Sequence, residues 1–293
     1  MAVAEPRRTP LSPGEAYASC RRLAQSHYEN FPVASRWIPA DLRGPVAAVY
    51  AFARTADDFA DEPGPEAPER LARLADWRRR LDRCSVDAEG HEIFVALADT
   101  VRRFDLPLDP FHRLITAFER DVTVHRHPTY DQLLDYCRHS ADPVGELVLR
   151  LHRAWTPQRG RWSDAICTAL QLANFWQDVI VDAAKDRIYA PLEDLAAAGI
   201  AETDYLKGPA TPALRAFMYR QIERTTALFD QGRPLLTDAP SGLRKELRLV
   251  WLGGMEILKK IQKRNGDVWS GRPALTKWDW LRLGGKWLWG APA

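Results

Sequence analysis

Two segments of this chain reverse the usual polarity of an amphipathic helix. In residues 46–62, VAAVYAFARTADDFADE, the side chains of Tyr50, Arg54, Asp57, Asp58 and Asp61 fall on one narrow stripe at about 100° per residue. Nearly every other position is Ala, Val or Phe. Residues 171–185, QLANFWQDVIVDAAK, repeat the pattern: Gln171, Asn174, Asp178, Asp182 and Lys185 recur at spacings of three, four, four and three, and Gln177 is the one polar exception elsewhere. An ordinary surface helix carries a broad polar face and a narrower apolar one. A helix apolar on most sides belongs in an interior, with its acidic stripe turned to a polar cavity. Carboxylates so placed repel one another and lose hydration, so cations must compensate. The nearby bases are few: Arg54, Lys185 and Arg187. Hard cations are the natural remedy, and magnesium fits best, because it takes one or two carboxylates, keeps waters and completes its shell with substrate phosphates. Manganese is the alternative ion. For either stripe alone, a solvated acidic face paired to arginines remains the competing reading; two inverted stripes in one chain favour the internal site.

The rest of the chain reads as helix after helix. Ser12-Pro13-Gly14-Glu15 combines an N-cap serine, a first-turn proline and a capping-box glutamate. Similar starts stand at Asp109-Pro110, at Thr129 with Gln132, and at Thr211-Pro212. No alternating strand-like run, hairpin dipeptide, repeat or low-complexity block interrupts them. The expectation is an all-α chain: one compact domain over residues 1–293, roughly ten helices, with loops at 61–65 and 207–212.

Composition excludes several classes. Of 293 residues 46% are hydrophobic and 27% charged, and the net charge of +2 gives no general nucleic-acid footprint. From Lys259 onward, however, eight basic residues face two acidic ones, so that part is +6 and the remainder −4. It also holds Trp269, Trp278, Trp280, Trp287 and Trp289. This Trp/Lys-rich tail, at about 266–293, suits a membrane interface as well as a helix packed on the core. Cys20, Cys84, Cys137 and Cys167 form no CxxC pair, which argues against a zinc site or a disulfide framework. No apolar run is long enough to span a bilayer. A cytoplasmic location is expected, with peripheral contact on the inner membrane face.

The acidic segments resemble the two DxxxD motifs of squalene and phytoene synthases. Arg54-Thr55-Ala56-Asp57-Asp58-Phe59-Ala60-Asp61 is similar to the first, with its preceding arginine. Gln171, Asn174, Asp178 and Asp182, followed by Arg187-Ile188-Tyr189, are similar to the second. The stretch from Tyr136 to Glu146 resembles the family's YCYxVAGxVG helix, and His27-Tyr28-Glu29-Asn30-Phe31-Pro32 its first phosphate-contacting segment. There are departures: Gln177 stands where an arginine is usual, Arg138 replaces a tyrosine, Asp142-Pro143 interrupts the glycine pattern, and Gly254-Met255-Glu256 falls where a tyrosine is frequent. The likeness is greatest to the bacterial hydroxysqualene synthase branch of hopanoid biosynthesis.

That resemblance implies a single isoprenoid synthase helical domain around a central cavity. It implies that Asp57, Asp61, Asn174, Asp178 and Asp182 hold magnesium, with both aspartate pairs and Tyr136 catalytic. Substrate contacts are then expected from His27, Asn30, Phe31, Tyr50, Arg54, Asp58, Gly145, Gln171, Lys185, Arg187 and Tyr189. Lys185 is as readily read as a structural ion-pair partner. The polar departures Arg138, Asp142 and Gln177 are candidates to position a water. The implied reaction ionises presqualene diphosphate, rearranges the cation and captures water, without NADPH. Head-to-head condensation of farnesyl or geranylgeranyl diphosphate is the alternative, and a non-catalytic helical assembly factor is the alternative of another class. A prenyl diphosphate is the expected partner, with transient contact to neighbouring pathway enzymes.

Overall fold

The computed structural model describes residues 11–26, 38–62, 64–86, 88, 90–276 and 278–279. Among them the regular elements are all helices, and one isolated bridge joins Arg126 to Ile188. Ten helices are long: α1 Pro13–Ser26, α2 Arg43–Asp61, α3 Ala67–Arg83, α4 Glu92–Phe104, α5 Asp109–Thr123, α6 Tyr130–Ser140, α7 Asp142–Leu151, α8 Pro157–Gln177, α12 Pro212–Gly232 and α14 Ser241–Lys263. Four are short: α9 Val179–Ala183, α10 Leu192–Ala197, α11 Glu202–Lys207 and α13 Leu235–Asp238. The chain divides into two compact units after Phe118, within α5.

Three of the four expected caps form; Asp109 is instead the first residue of α5, with its carboxylate held by Arg113 at 2.9 Å. Ser12 N donates to Glu15 Oε2 at 3.0 Å, and Glu15 N donates back to Ser12 Oγ at 3.4 Å. Thr129 accepts from Gln132 N and Thr211 from Leu214 N, each at 3.2 Å. Each cap satisfies an orphan backbone donor, worth about 1 kcal/mol.

In the first unit, α2 packs on α1, α3 and α4. Its apolar circumference does the work: Phe52 is fully buried, stacked 5.8 Å from Trp77 and edge-on to Phe94 at 6.1 Å and Phe111 at 5.3 Å. Trp77 Nε1 donates to the Phe52 carbonyl at 3.3 Å, so the buried indole is satisfied. This cluster fixes the rotation of α2, and with it the direction of the stripe.

In the second unit α8 is the hub. α12 runs antiparallel to it, since Thr225 meets Trp176 (Trp176 Nε1 donates at 2.9 Å) while Gly232 meets Trp162 and Ile166. α14 adds a third helix, where Gly254 sits against the Phe229 ring and Leu170. A Cβ on Gly254 would collide with that ring and come within 2.9 Å of Leu170 Cδ2. Gly254→Ala is therefore expected to lower stability by about 1–3 kcal/mol, read as a reduced urea midpoint at unchanged slope. Glu246, earlier on α14 and half-buried, is pushed up to about 7 by burial alone. A carboxyl raised in the folded state loses stability as pH climbs from about 4.5 to 7. Glu246→Gln should flatten that fall in melting temperature, and an unchanged slope would show that Glu246 is already solvated.

Candidate active site

The first acidic stripe lies on the last turns of α2. Tyr50, Asp57 and Asp58 are half-buried there, and Asp61, the final helical residue, is exposed. Arg54 Nη2 stands 2.7 Å from Asp58 Oδ1, and Nη1 3.5 Å from Asp57 Oδ2. At rest, the arginine expected on a diphosphate is the counter-ion of its own stripe. Arg54 Nε is buried and has no hydrogen-bond partner among the described residues. A buried donor left unpaired is costly, and an incoming oxyanion would relieve it.

The second stripe does not lie on one continuous helix. α8 ends at Gln177, and Asp178, at φ −102° and ψ 14°, joins it to α9. The regular spacing therefore breaks at Asp178, and Lys185 falls in the exposed turn beyond α9. Asp182 N still donates to Asp178 O at 2.9 Å, which keeps the two aspartates one turn apart. Asn174 Nδ2 donates to Asp178 Oδ2 at 2.7 Å. Arg272 arrives from far along the chain: its Nε donates to Asp178 Oδ1, and its Nη2 to Oδ2 at 3.2 Å. Gln177 Nε2 donates to the carbonyl of Pro273 at 2.6 Å. Gln177 therefore anchors a chain segment.

An aromatic cluster adjoins α8. Tyr189 stacks on Phe175 with ring centres 3.8 Å apart, and Tyr136 lies 6.1 Å from Phe175. His127 completes the group, 5.6 Å from Tyr189 and 5.4 Å from Tyr136. The Tyr136 hydroxyl donates to Asp121 Oδ1 at 2.7 Å. Burial, then the Asp121 charge, raises both phenols well above their ordinary value. Burial, then the Arg120 charge, pushes the His127 imidazole down to about 4. All three rings are neutral near pH 7. Backbone bonds hold the cluster's edge: Ile188 N donates to His125 O at 3.0 Å and Leu192 N to His127 O at 2.9 Å. Arg126 braces the turn through Asp186 at 2.7 Å and Glu202 at 2.8 Å, and Arg187 Nη2 reaches Asp121 O at 3.2 Å.

The remaining candidates are scattered. Arg138 is exposed and pairs with Asp135 at 3.2 Å. Asp142 is 5% exposed and accepts from the Thr168 hydroxyl at 2.8 Å. Gly145 is a packing position: a Cβ there would strike Ser163 Oγ and come within 2.6 Å of Cys167 Sγ, so α7 and α8 touch through it. Gln171 is half-buried on α8. His27, Asn30 and Phe31 lie outside the described residues, as do Trp280, Trp287 and Trp289. Of the tail tryptophans that are described, Trp278 is 80% exposed, whereas Trp269 packs edge-on to Tyr205 at 5.7 Å and serves the fold. No described helix is long and apolar enough to cross a membrane.

A family model described as squalene/phytoene synthase matches residues 24–279. The chain belongs to the squalene/phytoene synthase family. It is 38% identical over 209 residues to a hydroxysqualene synthase of Zymomonas mobilis, covering 70% of this chain and 68% of that protein. It is 31% identical over 297 residues to a 15-cis-phytoene synthase of Synechococcus elongatus, covering 95% and 94%. The crystal structure of squalene synthase HpnC from Alicyclobacillus acidocaldarius superposes with a TM-score of 0.82 at 41% identity, over 86% of this chain and 95% of that one. A dehydrosqualene synthase structure also gives a TM-score of 0.82, at 22% identity, and supports the isoprenoid synthase helical fold alone.

Three residues that contact the acidic and aromatic clusters escape motif reading: Asp121, His127 and Arg272. None belongs to a periodic stripe, and only the turn chemistry of the Pro128 region marks His127's neighbourhood. His127 also sets a pH dependence. An imidazole depressed in the folded state contributes stability that is present above about pH 6.5 and lost as pH falls toward about 4. His127→Phe is expected to reduce the loss of melting temperature across that window, and a slope equal to wild type would assign the acid sensitivity elsewhere.

Proposed function

We propose that this chain converts presqualene diphosphate to hydroxysqualene, as a step toward hopanoids, by ionisation, cation rearrangement and water capture. The observation that carries the reading is the likeness to the hydroxysqualene synthase at 38% identity, supported by the HpnC structure at 41%. Head-to-head condensation of two prenyl diphosphates is the second reading, favoured by the longer match to the 15-cis-phytoene synthase.

The donor set suits a hard divalent cation. Among the described residues no three His, Cys, Asp or Glu side chains form a ready cage. One or two carboxylates with an amide oxygen, completed by water and phosphate oxygens, is how magnesium binds. In the first unit Asp57 and Asp61 on α2 would hold such an ion, and in the second unit Asn174, Asp178 and Asp182 at the α8–α9 junction would do so. Bound there, the metal supplies Lewis-acid neutralisation of charge on the departing diphosphate. The chain's own groups do the rest. Arg54, with its unpaired Nε, offers a fork to phosphate oxygens. Tyr136, Phe175, Tyr189 and neutral His127 present aromatic surface that supports a carbocation without quenching it. The Tyr136–Asp121 pair fixes the phenol's direction. No nicotinamide is required, because water rather than hydride ends the reaction. The exposed Trp278 and the basic tail suit peripheral contact with a lipid surface, where the C30 substrate and product partition.

Product analysis with presqualene diphosphate, with and without NADPH and with EDTA, tests this. Alcohol formed without NADPH and abolished by EDTA is expected, and Asp178→Asn should cut the rate at least about a hundredfold. Presqualene diphosphate accumulating from farnesyl diphosphate would replace this reading with the condensation.

A further inference from the structure

The segment that follows α14 is fastened at both ends. The chain reverses through Asn265 and Gly266, at φ 54° and 71°. Val268 is then fully buried, Asp267 Oδ1 accepts from Trp269 N and Ser270 N at 3.1 and 3.0 Å, and Trp269 Nε1 donates to Tyr205 O at 2.6 Å. At the far end Thr276 N and Oγ1 donate to Asp279 Oδ2 at 2.7 and 2.6 Å, and Lys260 Nζ pairs with the same carboxylate at 2.8 Å. Between these anchors the contacts to the acidic site come from Arg272, whose fork spans Asp178, and from Pro273, whose carbonyl accepts from Gln177.

Both oxygens of Asp178 are thereby engaged: Oδ1 by Arg272 Nε, and Oδ2 by Asn174 Nδ2 and Arg272 Nη2. A cation cannot take this carboxylate in two-oxygen fashion while the fork is seated, and the guanidinium charge opposes its approach. The fork is also exchangeable, because the Arg272 side chain is 41% exposed and so stays open to water, although Asp178 is only 18% exposed. Gly271, at φ 150°, provides a backbone position that other residues rarely adopt immediately before it. We propose that residues 271–273 form a latch, in which Arg272 is the resident counter-cation of Asp178 in the metal-free protein and a divalent ion displaces it on binding. The proposal rests on the metal reading given above and adds to it a competitor built into the chain. The anchors at Val268–Trp269 and Asp279 limit the displacement to the short span between them.

Mn²⁺ titration of the full-length protein, followed by electron paramagnetic resonance of the free ion, tests the latch without recourse to turnover. Arg272→Gln is expected to bind Mn²⁺ about threefold to fivefold more tightly than wild type, the range set by an exposed ion pair. Arg272→Lys, which keeps charge without the fork, should fall between them. Arg102→Gln, a surface ion-pair control on α4, should match wild type. Hydrogen exchange supplies a second readout: Mg²⁺ should speed exchange across residues 270–276 in wild type while slowing it across 178–183. Affinity in Arg272→Gln equal to or weaker than wild type overturns the latch and leaves the metal site standing. Absence of Mn²⁺ binding by every variant, with inorganic pyrophosphate also present, overturns the metal site and the latch with it.

Discussion

Carboxylates one turn apart on otherwise apolar helices repel one another, and half-burial deprives them of the water that would screen that repulsion. The source of the compensating charge therefore governs the site. In each unit an arginine supplies it at rest, by opposite routes. Arg54 comes from one turn upstream on α2 and pairs with Asp57 and Asp58. That pair is local and moves with its helix. Arg272 reaches Asp178 across 94 residues and depends on a segment folded back over the α8–α9 junction. Both pairs join a partly solvated arginine to a half-buried carboxylate, and ion pairs left open to water on one side contribute on the order of 1 kcal/mol. Both are weak enough to yield to a ligand of higher charge, and strong enough to settle the acidic stripes in its absence.

The break at Asp178 follows from the same requirement. A straight helix through residues 171–185 would carry Lys185 on the stripe as a third cation. Ending α8 at Gln177 instead frees the Gln177 amide to grip Pro273 O and leaves Asp178 facing Arg272. The arginine missing from position 177, relative to the pattern the sequence otherwise follows, is thus matched by one brought from outside the helix. Lys185 is left in an exposed turn as a consequence.

The α2 stripe was legible in the sequence because everything that defines it is local: an unbroken helix, a period of 3.6, and alanines that leave no doubt about the buried face. Helix caps were legible for the same reason. At the second stripe periodicity identified Asn174, Asp178 and Asp182 but not the backbone break, which is fixed by contacts from residues 272–273. Asp121, His127 and Arg272 carry no periodic signal; α5, the turn before α6 and the segment after α14 meet α8 only through topology. The family resemblance put Gly145 with the substrate contacts, and the structure shows a helix crossing too close for a Cβ at that position. Close approach of two helices and close approach to a ligand both select glycine, and sequence alone cannot separate them.

The aromatic cluster shows a further use of burial. The proposed reaction would need a wall of electron-rich faces without formal positive charge and without a strong nucleophile. Tyr136 and Tyr189 meet this because burial and Asp121 disfavour their phenolates. His127 meets it because burial and Arg120 disfavour its imidazolium. One desolvated environment thus holds an acid and a base in their neutral forms together, which exposed side chains would not do for the histidine at mildly acidic pH. The formal negative charge nearby, Asp121, is spent on the Tyr136 hydroxyl at 2.7 Å and so orients the phenol. On the proposed reading, neutral rings near an acidic junction would separate two tasks by position: Asp178 and its neighbours would handle charge, while the rings would supply polarisable surface that adds no charge of its own.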